Sequence, residues 1–159
     1  MLIRFVKSRG DGLKPHAFSC QRANGSATWT REGEGMIRHD LIHHAVETTL
    51  GWPETFYGLV ARGYDVTDFD GLVSEWGFVP APEAGHAEFI VALLQAEFAS
   101  GSAMPDFADQ LRAACANAGV QAPEIAPEAL SIIRAKARDL LARWEALKPG
   151  EALELVFEG

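Results

Sequence analysis

Cysteine is scarce in this chain: Cys20 and Cys115 are its only two, far apart and in no CxxC pair. One bridge between them is open but nothing in the sequence asks for it, and the spacing suits free thiols in a reducing cytoplasm. Long apolar runs are missing too. The longest in the strongest helical segment, Phe89 to Leu94, gives way to Gln95 and Glu97, well short of the ~20 residues that cross a bilayer. The opening MLIRFVKSRG alternates and meets a glycine, without the long apolar stretch and cleavage site of a secretory leader. A cytoplasmic protein with no membrane contact is expected. Positive charge is also short. Lys and Arg number 14 against 22 acids, a net charge of -8, which argues against nucleic acid or an anionic membrane as partner. Nucleotide and nucleophile motifs are wanting as well. Gly33-x-Gly35 has no third glycine and no Gly-Lys-Ser/Thr, and Ser74 and Ser131 lack the glycines of a nucleophile elbow.

What is present suits one ordinary domain over residues 1–159. With 48% hydrophobic residues and nine Phe, a core forms without metal or disulfide staples. Strand patterns gather at the start: Leu2 to Lys7, then His16 to Arg22 and Ser26 to Thr30 about an Asn24-Gly25 pair. Asn-Gly tolerates the positive φ that a tight hairpin needs. Helical patterns follow over Arg38 to Leu50, Glu54 to Ala61, Glu83 to Ala99, Asp106 to Ala118 and Glu128 to Leu147. Asp68 is placed to cap a further short helix running to Trp76. Ala152 to Phe157 alternates as a last strand. Strands at both ends with helices between predict an α+β fold: a small antiparallel or mixed sheet holding both termini, packed against four to six helices.

In the longest helix Leu130, Ile133, Ala137, Leu140, Trp144 and Leu147 recur three and four apart as one apolar stripe. That spacing suits burial within the chain, against the sheet or helix 83–99; the alternative is a homodimer seam through helix 128–147. Charge is uneven along the chain. Residues 1–38 hold seven bases and three acids, residues 39–133 two bases and fourteen acids. This contrast suits docking of one layer on the other, or a field for a cationic partner.

Three of the five histidines fall in the run His39-Asp40-Leu41-Ile42-His43-His44-Ala45-Val46-Glu47. On a helix His39, His43 and Glu47 climb one polar face a turn at a time. Imidazoles four residues apart share one metal ion readily, and His39, His43, Glu47 and His86 are the candidate ligands for zinc or a similar divalent ion. One straight helix spreads three ligands too far for a single ion, so a third is expected from another element, His86 or Glu75. Asp40 and Glu47 are the candidate catalytic carboxylates.

His39-Asp40-x-x-His43 resembles the zincin signature, in which two histidines a turn apart bind zinc and the residue after the first is a general base. The family has Glu where this chain has the shorter Asp40. The His-Asp pair also resembles that of the metal-dependent HD phosphohydrolases, whose further ligands find no matching spacing here. More of the chain, from His39 to Gly63 with Trp144 and Pro149-Gly150, is similar to a small bacterial family without assigned activity.

On helix 83–99, His86, Ile90, Leu93 and Glu97 share a face. Either the ends of that helix rise to solvent, or the two polar groups point into a pocket shared with the 39–47 helix. The aromatics Trp52, Phe56, Tyr57, Trp76 and Phe78 flank the same region, as core or as the wall of a site for a small, partly apolar ligand. Two functional readings stand. One is a metal-binding, hydrolase-like site on helix 39–47 taking a small molecule. The other is a non-catalytic structural or protein-interaction domain, in which the His/Asp/Glu cluster is a local hydrogen-bond network.

Overall fold

Both ends of the chain meet in one four-stranded sheet. Strands β1 (Leu2–Val6), β2 (His16–Gln21), β3 (Ala27–Glu32) and β4 (Ala152–Val156) lie in the order β3-β2-β1-β4, every neighbour antiparallel. Among the described residues five helices complete the α+β fold: α1 (Glu34–Leu50), α2 (Phe56–Ala61), α3 (Pro82–Ser100), α4 (Phe107–Asn117) and α5 (Pro127–Ala146). This computed structural model describes residues 1–10, 14–69 and 82–158. Among these described residues no helix is long and apolar enough to cross a membrane.

The pairing of β1 with β4, Leu2 opposite Val156 and Val6 opposite Ala152, joins the two termini as expected. Alternation decides which face is covered. Ile3, Phe5, Phe18, Cys20, Leu153 and Leu155 are buried on one face, and Phe5 stacks on Phe18 at 4.9 Å. The hairpin turn between β2 and β3 closes through Arg22 N–H to the Ser26 carbonyl, with Gly25 at φ +85°.

Helix α1 begins four residues before the expected start. Gly33 takes the extended cap position and Gly35 falls inside the first turn, so the Gly33-x-Gly35 punctuation opens the helix rather than preceding it. Glu34 is then placed to accept from the Trp144 indole at 2.9 Å and to pair with His16 Nε2 at 3.0 Å. Helix α2 starts later than expected. Thr55 sits extended at its cap and spends its hydroxyl on Glu47 instead of on helix amides. Of the segment expected to form a helix from Asp68 to Trp76, a 3₁₀ turn covers Val66–Phe69; the rest lies outside the described residues.

Helix α1 is wrapped on several sides by α5, α3, α2 and β2. Every residue from Asp40 to Glu47 is buried. The polar face read from the sequence is therefore turned toward other helices, not toward water.

The α5 stripe is used within the chain. Ile133, Ala137, Leu140 and Trp144 are buried, with Leu130 and Leu147 half-buried at its ends, and the main partner is α1. The stripe also meets the sheet as expected, Trp144 packing edge-on against Phe5 at 6.5 Å and His16 at 5.0 Å. Leu140→Ala is expected to cost about 2–5 kcal/mol, the transfer and cavity cost of a packed leucine. Urea unfolding at two protein concentrations checks this, and a loss independent of concentration assigns the stripe to the monomer.

Candidate metal centre

Two helices build the site. His39 and His43 stand one turn apart on α1, their ring centroids 4.5 Å apart, and Glu88 reaches them from α3. His43 Nε2 lies 3.2 Å from Glu88 Oε1 and His39 Nε2 lies 3.4 Å from Glu88 Oε2. Neither approach has the alignment of a hydrogen bond, and His43 Nε2 is buried with no hydrogen-bond partner. The three side chains offer ligand atoms that all lie within 4.8 Å of one another. This His/His/Glu cluster is able to coordinate a divalent ion such as zinc. Two ligands on one tetrahedral zinc at ordinary bond lengths sit about 3.3 Å apart. Each Nε2 stands near that spacing from one of the two Glu88 oxygens, His43 from Oε1 and His39 from Oε2.

The other ring nitrogens are held from behind. His43 Nδ1 lies 3.0 Å from Glu47 Oε1, and His39 Nδ1 lies 3.4 Å from Asp40 Oδ1. Glu47 is itself fixed: its second oxygen accepts from the Thr55 hydroxyl at 2.7 Å and the Tyr57 amide at 2.8 Å. Pro53 and the start of α2 bring those donors in, and Gly58 is required there. A Cβ at Gly58 would sit 2.2 Å from the Pro53 carbonyl oxygen. A carboxylate behind each imidazole sets its tautomer and ring plane, as in many metal-binding histidines.

Burial alone lowers the pKa of His43, but its contacts with Glu47 and Glu88 outweigh that and push it up to about 10. Burial opposes protonation of His39 as well, and Asp40 and Glu88 override it in the same direction. Glu88 is raised by burial and lowered further by the two imidazoles, ending well below the ordinary carboxylate range. Glu88 thus bridges the two imidazoles and favours the protonated form of each. Burial lowers the pKa of His44, whose Nε2 donates to the Val156 carbonyl at 3.1 Å; that residue ties α1 to β4 and takes no part in the cluster.

The expected residues are thus divided. His39 and His43 converge. Glu47 and Asp40 stand behind them, and the Glu47 oxygens are taken by His43, Thr55 and Tyr57. His86 is not in the cluster. Its ring lies 6.2 Å from Trp52, because two residues along a helix turn it away from the face that carries Glu88. Glu75 lies outside the described residues, as do Trp76 and Phe78. Glu97, expected in solvent or in a pocket shared with α1, is instead 3% exposed against α5. There Arg134 Nε reaches it at 2.9 Å and the Met104 amide at 2.8 Å.

Glu88 was missed by a reading that followed the apolar stripe of α3. A signal existed: it is the only charged residue between Glu83 and Glu97. A lone carboxylate in such a run marks a polar partner. Comparison with family models, curated proteins and solved structures found no match for the chain.

Proposed function

We propose that the chain binds one divalent ion of the zinc class through His39, His43 and Glu88, and that the bound ion serves hydrolysis of a small-molecule substrate. The observation that carries this reading is the double orientation of the imidazoles. Each has its Nδ1 against a carboxylate and its Nε2 facing the same third carboxylate at ligand-to-ligand spacing. Two histidines and one glutamate form a donor set that zinc hydrolases use with a fourth position left open. The Glu88 side chain is 58% exposed, so the open side of the cluster is its solvent side.

A bound ion of this class supplies Lewis acidity. The chain's own residues supply order: Glu47 holds His43 in the tautomer that presents Nε2, and Asp40 does so for His39. The zincin resemblance enters here through its two histidines only. Asp40 faces the back of His39, so in this reading it positions a ligand and does not serve as the general base.

Metal analysis of untagged protein and titration with zinc and cobalt test the proposal. About one equivalent is expected, with the visible absorption of a low-symmetry site for cobalt. His43→Ala should abolish retention, and Glu88→Gln, a change at an exposed side chain that spares the fold, should weaken it at least about tenfold. His86→Gln should bind like the parent. Failure of the folded parent to take up metal at saturation would leave the cluster as an ion-pair network and end the metal reading.

A further inference from the structure

We infer that the β3 edge of the sheet is a dimer interface, taking β3 of a second copy of this chain antiparallel about a two-fold axis at Thr30. The backbone sets the register. Arg22 and Ser26 form a hydrogen-bonded pair at the hairpin turn, and hydrogen-bonded pairs alternate along an antiparallel ladder. With Cys20 opposite Thr28, Phe18 opposite Thr30 and His16 opposite Glu32, Thr28, Thr30 and Glu32 turn their amides and carbonyls inward to β2. Ala27, Trp29 and Arg31 therefore present theirs outward. β3 is the last strand of the sheet on that side, and among the described residues nothing hydrogen-bonds to those three outward positions.

Protein edges are ordinarily blunted by proline, by charged side chains, by a bulge or by shortness. β3 runs six residues as Ala-Thr-Trp-Thr-Arg-Glu without proline, and its charges, Arg31 and Glu32, fall at one end of the strand. Its Trp29 is 65% exposed on the face away from the helices, opposite the small Ser19, so no neighbouring strand covers the indole.

The sequence about Thr30 is complementary to itself. In the antiparallel pairing Thr30 meets Thr30 of the second copy, and Trp29 on each side meets Arg31 of the other. Trp29 and Arg31 both face outward along the edge, so each such pair exchanges two backbone hydrogen bonds. The same pair sets a guanidinium beside an indole, an attraction of the cation–π kind. The arrangement sets a cation directly beside an aromatic at both flanking positions and a hydroxyl beside a hydroxyl at the axis, with the two Arg31 side chains as diagonal neighbours whose charges splay toward solvent. Four strands from each copy then form one continuous eight-stranded sheet.

Sedimentation equilibrium over a wide concentration range, from micromolar to near-millimolar, tests the inference. A monomer–dimer equilibrium is expected. Arg31→Pro removes an outward N–H and the cation while leaving the β2–β3 ladder whole, since proline is tolerated where its missing donor faces solvent. It should shift the equilibrium to monomer with the far-ultraviolet spectrum and melting temperature retained. Thr30→Cys should cross-link in high yield under mild oxidation, the non-hydrogen-bonded pairing bringing Cα atoms to about 4.5 Å; Cys20 and Cys115 are buried and stay reduced. A monomer at every concentration, or a dimer that Arg31→Pro does not weaken, would overturn it.

Discussion

Metal affinity should rise steeply with pH, by between about tenfold and about a hundredfold per unit across roughly pH 6 to 8, because ligand imidazoles must lose their protons to bind. The metal-free network holds those protons firmly. His43 is raised to about 10 by Glu47 and Glu88 against the pull of burial, and His39 is raised by Asp40 and Glu88. Up to two protons therefore leave for each ion that enters. Stability follows the opposite course in the two forms. A histidine whose folded pKa lies above its unfolded value of 6.5 contributes stability that is complete below that value. For His43 that contribution is lost as pH climbs from 6.5 toward 10. Glu88 works in the other direction: its lowered pKa contributes above the ordinary carboxylate value and is lost in acid. Metal-free protein should melt at highest temperature in the mildly acidic window between those limits, and metal-loaded protein at higher pH. Titration of zinc against a competing chelator at several pH values, with melting curves of both forms, checks each statement. Affinity independent of pH would show that the histidines are not the ligands.

Glu47→Ala is expected to be the most damaging single change near the site, costing about 3–5 kcal/mol, the range for breaking a buried charged pair from one side. Glu47 is 0% exposed. It accepts from the Thr55 hydroxyl and the Tyr57 amide and faces His43, so truncation strands two buried donors and an imidazole together. Glu47→Gln keeps the volume and the acceptor for Thr55 and Tyr57 but removes the charge behind His43. It should lose less stability and weaken metal binding by about 10–100-fold, the usual effect of removing a carboxylate behind a ligand histidine. Denaturant unfolding of metal-free protein measures the first effect, and chelator competition the second. Equal loss of stability in the two variants, with metal affinity unchanged, would assign Glu47 to the fold alone.

Much of the scaffold was legible because its signals are local. The Asn24-Gly25 turn, the alternation of the end strands and the three-four spacing of α5 each act within a few residues, and each produced its element to within a residue or two. The start of α1 was misplaced because a glycine at a cap and a glycine in a first turn look alike until Glu34 is seen bonded to Trp144. The late start of α2 has a similar cause: the Thr55 hydroxyl answers to Glu47, a residue in the preceding helix.

By itself the sequence determined that His39 and His43 share one helix face, since four residues are close to one turn, and that a third ligand had to come from elsewhere. Which residue that was, only tertiary structure decided. The choice between His86 and Glu88 turns on how α3 is rotated about its axis where it crosses α1, and that rotation follows from burial of Ala87, Ile90, Val91 and Leu94, not from the polar residues. The same packing turned Asp40 and Glu47 from candidate reacting groups into the carboxylates behind the histidines. A helix pattern records which residues lie together on one cylinder. It carries no information about what stands opposite, because that depends on shape and buried area contributed by residues far away in the chain.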